Sequence, residues 1–478
     1  FVFGDWSSDV CSSDLADVDI AARSGQNGVG SYIVDNEVTK VFVTAEPVRS
    51  RSLVALDPDE LAGILDTGGK LAARLGTYEP RTSQLELIRA MTGTFNDGGV
   101  LAAEAGTGVG KSFAYLIPAL AWAARNKERV VVSTATINLQ QQLTEKDIPL
   151  VTSVFKKKLK AVLVKGRGNY LCRMKLAEAI DEEGIFAVDD NPLVIIKSWA
   201  EHSATGDKAD LSFWPEDQLW HRVRSESDDC LNMRCPFRDS CFVLQARKAA
   251  AEADMLVANH HMLFSDLASR ANGAGYEATA VLPPYTTIVF DEAHAVESSA
   301  TGCFSQNITR FDVYRQLSKL YRERRGRKFG IIIKLQNLKG LPVHILRNFP
   351  DADLALRQAM EAADTSALSF LGSETNVRLT GRTRALEALV LEPLASLERA
   401  VITVSGLLKD AIDDMPDEYE GEQSITEVQL ALMRFSELAA KAARFRTFDE
   451  DNGNVYWLER KKTGQGEFFI SFNITPLD

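Results

Sequence analysis

The pattern of apolar positions changes character along the chain. From Tyr78 onward a short apolar run, Gly99 to Ala103, leads into a glycine-rich turn. A helical pattern over Phe113 to Ala124 follows, then a Val-rich run from Arg129 to Ser133. Alternation of this kind predicts an α/β fold, a parallel sheet with helices on both faces. Upstream, Ser31-Tyr32-Ile33-Val34 and Val41-Phe42-Val43 alternate as short strands do, and Leu61 to Leu75 carries a helical pattern. Past Ala300 the periodicity becomes helical over long stretches. Leu394, Leu397, Val401, Val404 and Leu408 form one stripe, and Ile425, Val428, Leu432 and Phe435 another, with the polar turn Asp413-Asp414-Met415-Pro416-Asp417-Glu418 between them. These read as paired helices of a separate domain.

At 478 residues with 45% apolar content the chain can hold two to four cored domains, on a prior of roughly 150 residues each. It has no run of about 18 uncharged apolar residues, so no membrane span is read. Phe1 to Leu15 is Ser- and Asp-rich without assignable periodicity and is set aside as a leader foreign to the fold. Most of the six cysteines are gathered in one stretch, which fits a reducing, cytoplasmic compartment better than a disulfide framework. The formal charge of −12 argues against a nucleic-acid binder, because phosphate recognition depends on cationic faces. Two basic runs qualify that, Lys156-Lys157-Lys158 with Lys160, and Arg322 through Lys328.

Glu104-Ala105-Gly106-Thr107-Gly108-Val109-Gly110-Lys111-Ser112 matches the phosphate-loop pattern except for Ala105 in place of its first glycine. Such a loop cradles phosphates with backbone N–H groups at a helix N-terminus. Residues Ala105 to Ser112 are therefore the expected ATP-binding segment, with Lys111 neutralising the β/γ charge and Ser112 taking a Mg²⁺ position. The acidic partner is Asp291-Glu292, directly after the apolar run Thr286 to Phe290. Carboxylates there emerge at the carboxyl edge of the sheet, where Asp291 would hold Mg²⁺ and Glu292 would activate the attacking water. The competing reading of each alone, a helix cap, is weakened by their occurrence together.

Cys172, Cys230, Cys235 and Cys241 fall between these two motifs with spacing C-x57-C-x4-C-x5-C. Four grouped thiols imply a metal site, although spacing alone leaves zinc and iron–sulfur open. Such an insert is expected to have little apolar core and to loosen when its metal is lost.

Asp291-Glu292-Ala293-His294 with the phosphate loop resembles the superfamily 2 helicases of the DEAH-box class. That resemblance gives His294 a coupling role between nucleotide and nucleic acid. In Tyr78-Glu79-Pro80-Arg81-Thr82-Ser83-Gln84-Leu85 it makes Gln84 the adenine contact, whose amide suits the N6/N7 edge. Val130 to Leu143 resembles the segment after the second motor strand, and offers Thr134, Thr136 and Gln140 for single-strand contact, each equally readable as a cap. Lys165 to Cys172, Cys230, Cys235-Pro236, Cys241 and Ala258-Asn259-His260-His261 resemble the DinG branch of the XPD-type iron–sulfur helicases. The resemblance implies a [4Fe-4S] cluster on the four cysteines, a RecA-like motor domain, a helical arch and 5′-to-3′ translocation on single-stranded DNA. It implies single-stranded and forked DNA as partners, a monomeric motor, and a role in repair or replication.

The expected organisation is a leader at 1–15, a region of unknown role at 16–75, the first motor domain at 76–165 and 244–300, the cluster insert at 166–243, the arch at 301–460, and a return to the motor domain at 461–478. Nothing in the chain matches the second motor domain, so the sequence reads as a truncated helicase with little turnover of its own. Between Ala16 and Arg74 no Asp-x-Glu pair suggests an exonuclease. Tyr170 and Phe237, near the cysteines, are read as packing more readily than as base-stacking. Two other readings remain, a non-catalytic nucleotide-dependent DNA-binding module and an RNA helicase.

Overall fold

The computed structural model describes residues 31–35, 40–45, 53–75, 78–106, 110–183, 191–227, 230–271, 281–324, 326–338, 343–416, 419, 422–449, 453–464 and 466–476. The leader, and Thr107, Gly108 and Val109 of the phosphate loop, lie outside them. Strands β1 (Ser31–Asp35) and β2 (Lys40–Ala45) pair antiparallel, as their alternation predicts.

Four parallel strands form the central sheet: β3 (Val130–Thr134), β4 (Ala161–Leu163), β5 (Met255–Asn259) and β6 (Thr287–Phe290), in the order β4-β5-β3-β6. Their register aligns Val130 with both Met255 and Thr287. Successive strand residues point to opposite faces, so one run feeds two cores. Val130, Val132 and Val257 pack with helices α1 (Thr82–Asp97) and α2 (Lys111–Asn126), while Val131 and Leu256 pack with Leu263 and Leu282 on the other side. That double coverage accounts for the continuous apolar run of β3.

The strand expected at Gly99 to Ala103 does not form. Residues 101–106 carry no ladder, and Val100 is 98% exposed. A strand persists only where a neighbouring edge takes its N–H and C=O groups, and among the described residues no strand pairs on the outer edge of β6.

The insert has a core of its own, which corrects the expectation of a metal-dependent loop. Tyr170, Leu171, Leu176, Leu193, Ile196, Trp220, Val223 and Phe242 are buried together. Helix α3 (Arg173–Glu183) starts immediately after Cys172.

Helices α4 (His260–Ser269) and α5 (Val296–Phe304) flank the sheet. Beyond them lies the helical unit, built on α6 (Val343–Leu371), α7 (Glu392–Asp413) and α8 (Gln423–Arg446). The stripe residues of α7 are buried, as are Ile425, Val428 and Phe435 of α8, while Leu432 is partly buried. Against these helices lies a second sheet made of β7 (Gln306–Ile308), β10 (Asn376–Arg378), β11 (Asn454–Lys462) and β12 (Phe468–Pro476), in the order β10-β11-β12-β7, while β8 (Arg322–Arg324) and β9 (Arg327–Phe329) form a separate antiparallel pair. Phe468–Pro476, within the stretch 461–478 expected to return to the motor domain, form β12 of this antiparallel sheet. Alternation explains it: Ile470, Phe472 and Ile474 all point into the helical core, which the parallel sheet does not offer them. No described helix is long and apolar enough to cross a membrane.

Candidate nucleotide site and cysteine cluster

The carboxyl ends of β3, β5 and β6 meet the N-terminus of α2. Gly110 caps that helix with φ 87°, a left-handed conformation open to glycine. A Cβ there would sit 2.3 Å from Nε2 of Gln84, so two constraints demand glycine. Lys111 opens the helix, and its ammonium donates to Oε1 of Glu292 at 3.1 Å. Asp291 is 8% exposed and accepts from the Tyr115 hydroxyl at 3.1 Å. Burial pushes its carboxyl above the usual range, with Tyr115 and Lys111 pulling the other way. Burial, then the Asp291 charge, pushes the Tyr115 hydroxyl far up, so it remains a donor.

Glu292 is one of few non-glycine residues with positive φ, at φ 55° and ψ 50°. Strain of this kind persists where surrounding contacts over-determine it, and it clusters at functional sites. His294, with its side chain 77% exposed, lies 3.4 Å through Nδ1 from Oε2 of Glu292. The glutamate therefore bridges Lys111 and His294.

Gln84 is placed differently from expectation. It is fully buried, donates to the Gly110 carbonyl at 2.7 Å, and accepts from the Tyr78 hydroxyl. Its amide is engaged in holding the phosphate loop, not presented to a base edge. Thr134 and Gln140 are buried at 0% and 3% exposure, closed to a DNA backbone. Thr136 is exposed and accepts from the Leu139 N–H as an N-cap.

Four residues escaped the sequence reading. Tyr115 lies one helical turn after Lys111 and touches Asp291. Asp147 ends a π-helical turn, Leu143–Asp147, and is raised by burial, with Gln142 and Ser112 hydrogen bonds pulling it down. Ser133 and His260 pair behind the acidic motif at 2.7 Å. A helix-spaced Tyr was the one available signal, and it is too common to single out.

Cys172, Cys230, Cys235 and Cys241 line one cavity of about 170 Å³, and no disulfide joins them. Burial pushes the Cys172 thiol up, while the N–H groups of Lys175 and Met174 pull it down. Among the described residues, no three His, Cys, Asp or Glu side chains converge on one ion-sized point. Tyr170 is buried in the insert core, and Phe237 lines the cysteine cavity.

Between the insert and the helical unit lies a second cavity of about 730 Å³, lined by Lys175, Arg222, Arg315, Arg322 and Lys328 among others. Ion pairs of Lys334 with Glu178 at 2.7 Å and with Glu427 at 3.0 Å, and of Arg322 with Glu182, close one side of it.

A DEAD/DEAH box helicase family profile matches residues 81–180. The chain is 35% identical over 259 residues to the ATP-dependent DNA helicase YoaA of Escherichia coli (strain K12), covering 53% of this chain and 40% of that protein. It is 29% identical over 426 residues to the YoaA of Haemophilus influenzae, covering 88% of this chain and 59% of that protein. It is 35% identical over 248 residues to the ATP-dependent helicase DinG of Mycobacterium tuberculosis (strain ATCC 25618 / H37Rv), covering 48% of this chain and 36% of that protein. The chain thus spans less than two thirds of the length of each of these relatives. Residues 81–180 are thus similar to the DEAD/DEAH box helicases, and the chain is similar to the YoaA and DinG ATP-dependent DNA helicases.

Proposed function

We propose that this chain carries the ATP-binding site of a cytoplasmic DNA helicase motor of the DinG type, which couples ATP hydrolysis to 5′-to-3′ movement on single-stranded DNA and to opening of forked duplexes. The observation that carries it is Lys111 of the phosphate loop reaching Glu292 beside a buried Asp291, at the carboxyl edge of a parallel sheet.

In this reading Lys111 and the N–H groups of the loop hold the β- and γ-phosphates. A γ-phosphate competes with Glu292 for Lys111 and frees the carboxylate. Glu292 then accepts a proton from the water that attacks the γ-phosphorus, and the bond to the β–γ bridging oxygen breaks with its electron pair leaving on ADP. Ser112 and Asp291 would hold Mg²⁺, which supplies charge neutralisation at the phosphates. Gln84 would reach the adenine only by exchanging its Gly110 hydrogen bond.

Cys172, Cys230, Cys235 and Cys241 would hold a [4Fe-4S] cluster. A single zinc ion needs every sulfur within about 2.3 Å of one point. The four thiols line one cavity, and a [4Fe-4S] cluster would take one thiolate on each iron. Held so, Cys172 would tie the start of α3 to the Cys230–Cys241 segment.

The test is phosphate release and strand displacement on matched DNA and RNA forks. DNA-stimulated release that is lost in Lys111→Ala and Glu292→Gln supports the reading. Nucleotide binding without release in any assembly, or preference for RNA, would replace it with the binding-module or RNA-helicase alternative.

A further inference from the structure

His260 is 1% exposed, and none of the roles described above uses its side chain. It is the first residue of α4, whose N-cap Asn259 accepts from the Met262 N–H at 2.7 Å, so the ring is fixed at the carboxyl end of β5. Its Nδ1 lies 2.7 Å from the Ser133 hydroxyl at the end of β3. Ser133 in turn accepts the Asp291 N–H on its carbonyl at 2.8 Å. One pair of residues thus ties together the carboxyl ends of the three strands that build the acidic motif. Nε2 of His260 is buried and has no hydrogen-bond partner among the described residues. A buried N–H or lone pair left unmet is costly, so a group nearby is the natural candidate. Burial lowers the imidazole's basicity, and the backbones of Glu292 and Asp291 act against that effect. Directly beyond, Glu292 holds its left-handed backbone without a glycine.

We propose that His260 is a positioning residue for Glu292. Its neutral ring accepts the Ser133 hydroxyl proton on Nδ1 and directs Nε2–H at the backbone of the Asp291–Glu292 turn. It thereby holds the strained conformation from which the Glu292 carboxylate reaches Lys111. The ring touches neither nucleotide nor metal, and acts only through Glu292. The inference rests on the nucleotide-site reading above and adds to it a second support behind the acidic motif.

The test combines two readouts on the whole chain. The first is ATP binding and single-turnover cleavage of bound ATP with His260→Ala, His260→Gln and Ser133→Ala, with Lys111→Ala in parallel. A positioning role predicts a Mg-ATP affinity within about threefold of wild type for His260→Ala and a cleavage rate lower by about 10²-fold, the scale of a 1 Å misplacement. His260→Gln, whose amide can still donate near the Nε2 position, should recover most of that loss. Equal cleavage in wild type and His260→Ala overturns the inference, as does a parallel loss of affinity and rate that Gln does not rescue. If wild type binds ATP no better than Lys111→Ala, the nucleotide-site reading itself fails. The second readout is the ¹⁵N shift of the His260 ring, independent of turnover. The Nε2–H tautomer is expected, and an Nδ1–H tautomer or a charged ring at neutral pH overturns the proposal.

Discussion

Glu292 carries opposing demands in one residue. Its left-handed backbone costs about 1–2 kcal/mol against an ordinary conformation, while its carboxylate serves the chemistry. Glu292→Gly should therefore raise the urea midpoint of the motor domain, by a stabilisation of about 1 kcal/mol, and at the same time abolish ATP cleavage. Equilibrium denaturation beside single-turnover assays checks both halves; a destabilised Gly variant would mean that the turn is not strained. Lys111, Asp291 and Glu292 were legible in the sequence because their chemistry is fixed by spacing along one strand or one loop. Tyr115, Asp147, Ser133 and His260 were not, since each acquires its partner across the sheet from a distant segment. Gln84 was half legible. The sequence marked it as belonging to the nucleotide site, but only the fold directs its amide onto Gly110.

At the scale of elements the insert is the informative case. The four cysteines proposed as metal ligands sit on a unit with its own apolar core, so Cys235→Ser should release the metal while most of the helical signal of the insert survives. Trp220, 3% exposed with its indole N–H donating to the Gly168 carbonyl at 2.8 Å, should matter more for folding. Trp220→Ala should cost about 3–5 kcal/mol and open the insert to protease. Metal content and limited proteolysis on the two variants separate the effects. Glu226 gives the insert a pH signature. Burial works to raise its carboxyl, yet Lys175 and Arg224 together pull it down to about 2. The stability it contributes is present above its ordinary value of 4.5 and is lost as pH falls towards 2. Glu226→Gln should therefore be less stable at pH 7 by about 1–2 kcal/mol and indistinguishable from wild type near pH 2, in denaturation series across that window. The insert's core went unread because its apolar residues are spread over short helices with loops between, where no single window shows a period. β12 went unread for a different reason: its alternation is plain, but which core it faces depends on β7 and β11.

For the whole molecule, an acidic total leaves room for a locally cationic lining. The −12 balance is set by the full chain, whereas the cavity between insert and helical unit has eight Lys and Arg side chains against five carboxylates, with Lys175, Arg222 and Arg322 ion-paired to Glu226 and Glu182 and Arg315 and Lys328 beside them. Affinity for a single-stranded oligonucleotide should thus fall steeply between about 50 and 200 mM salt, and Arg315→Ala with Lys328→Ala should shallow the slope. A flat salt response would remove the electrostatic path. Every part of this account depends on the nucleotide site being real, and equilibrium binding of Mg-ATP tests that most directly, because it needs no DNA and no turnover. Titrating wild type, Lys111→Ala and Glu292→Gln with a fluorescent ATP analogue should give binding that Lys111→Ala weakens by about tenfold or more, the scale of a lost charge-assisted contact of about 1.5–3 kcal/mol, and that Glu292→Gln retains. Identical affinity in wild type and Lys111→Ala would contradict the account at its root.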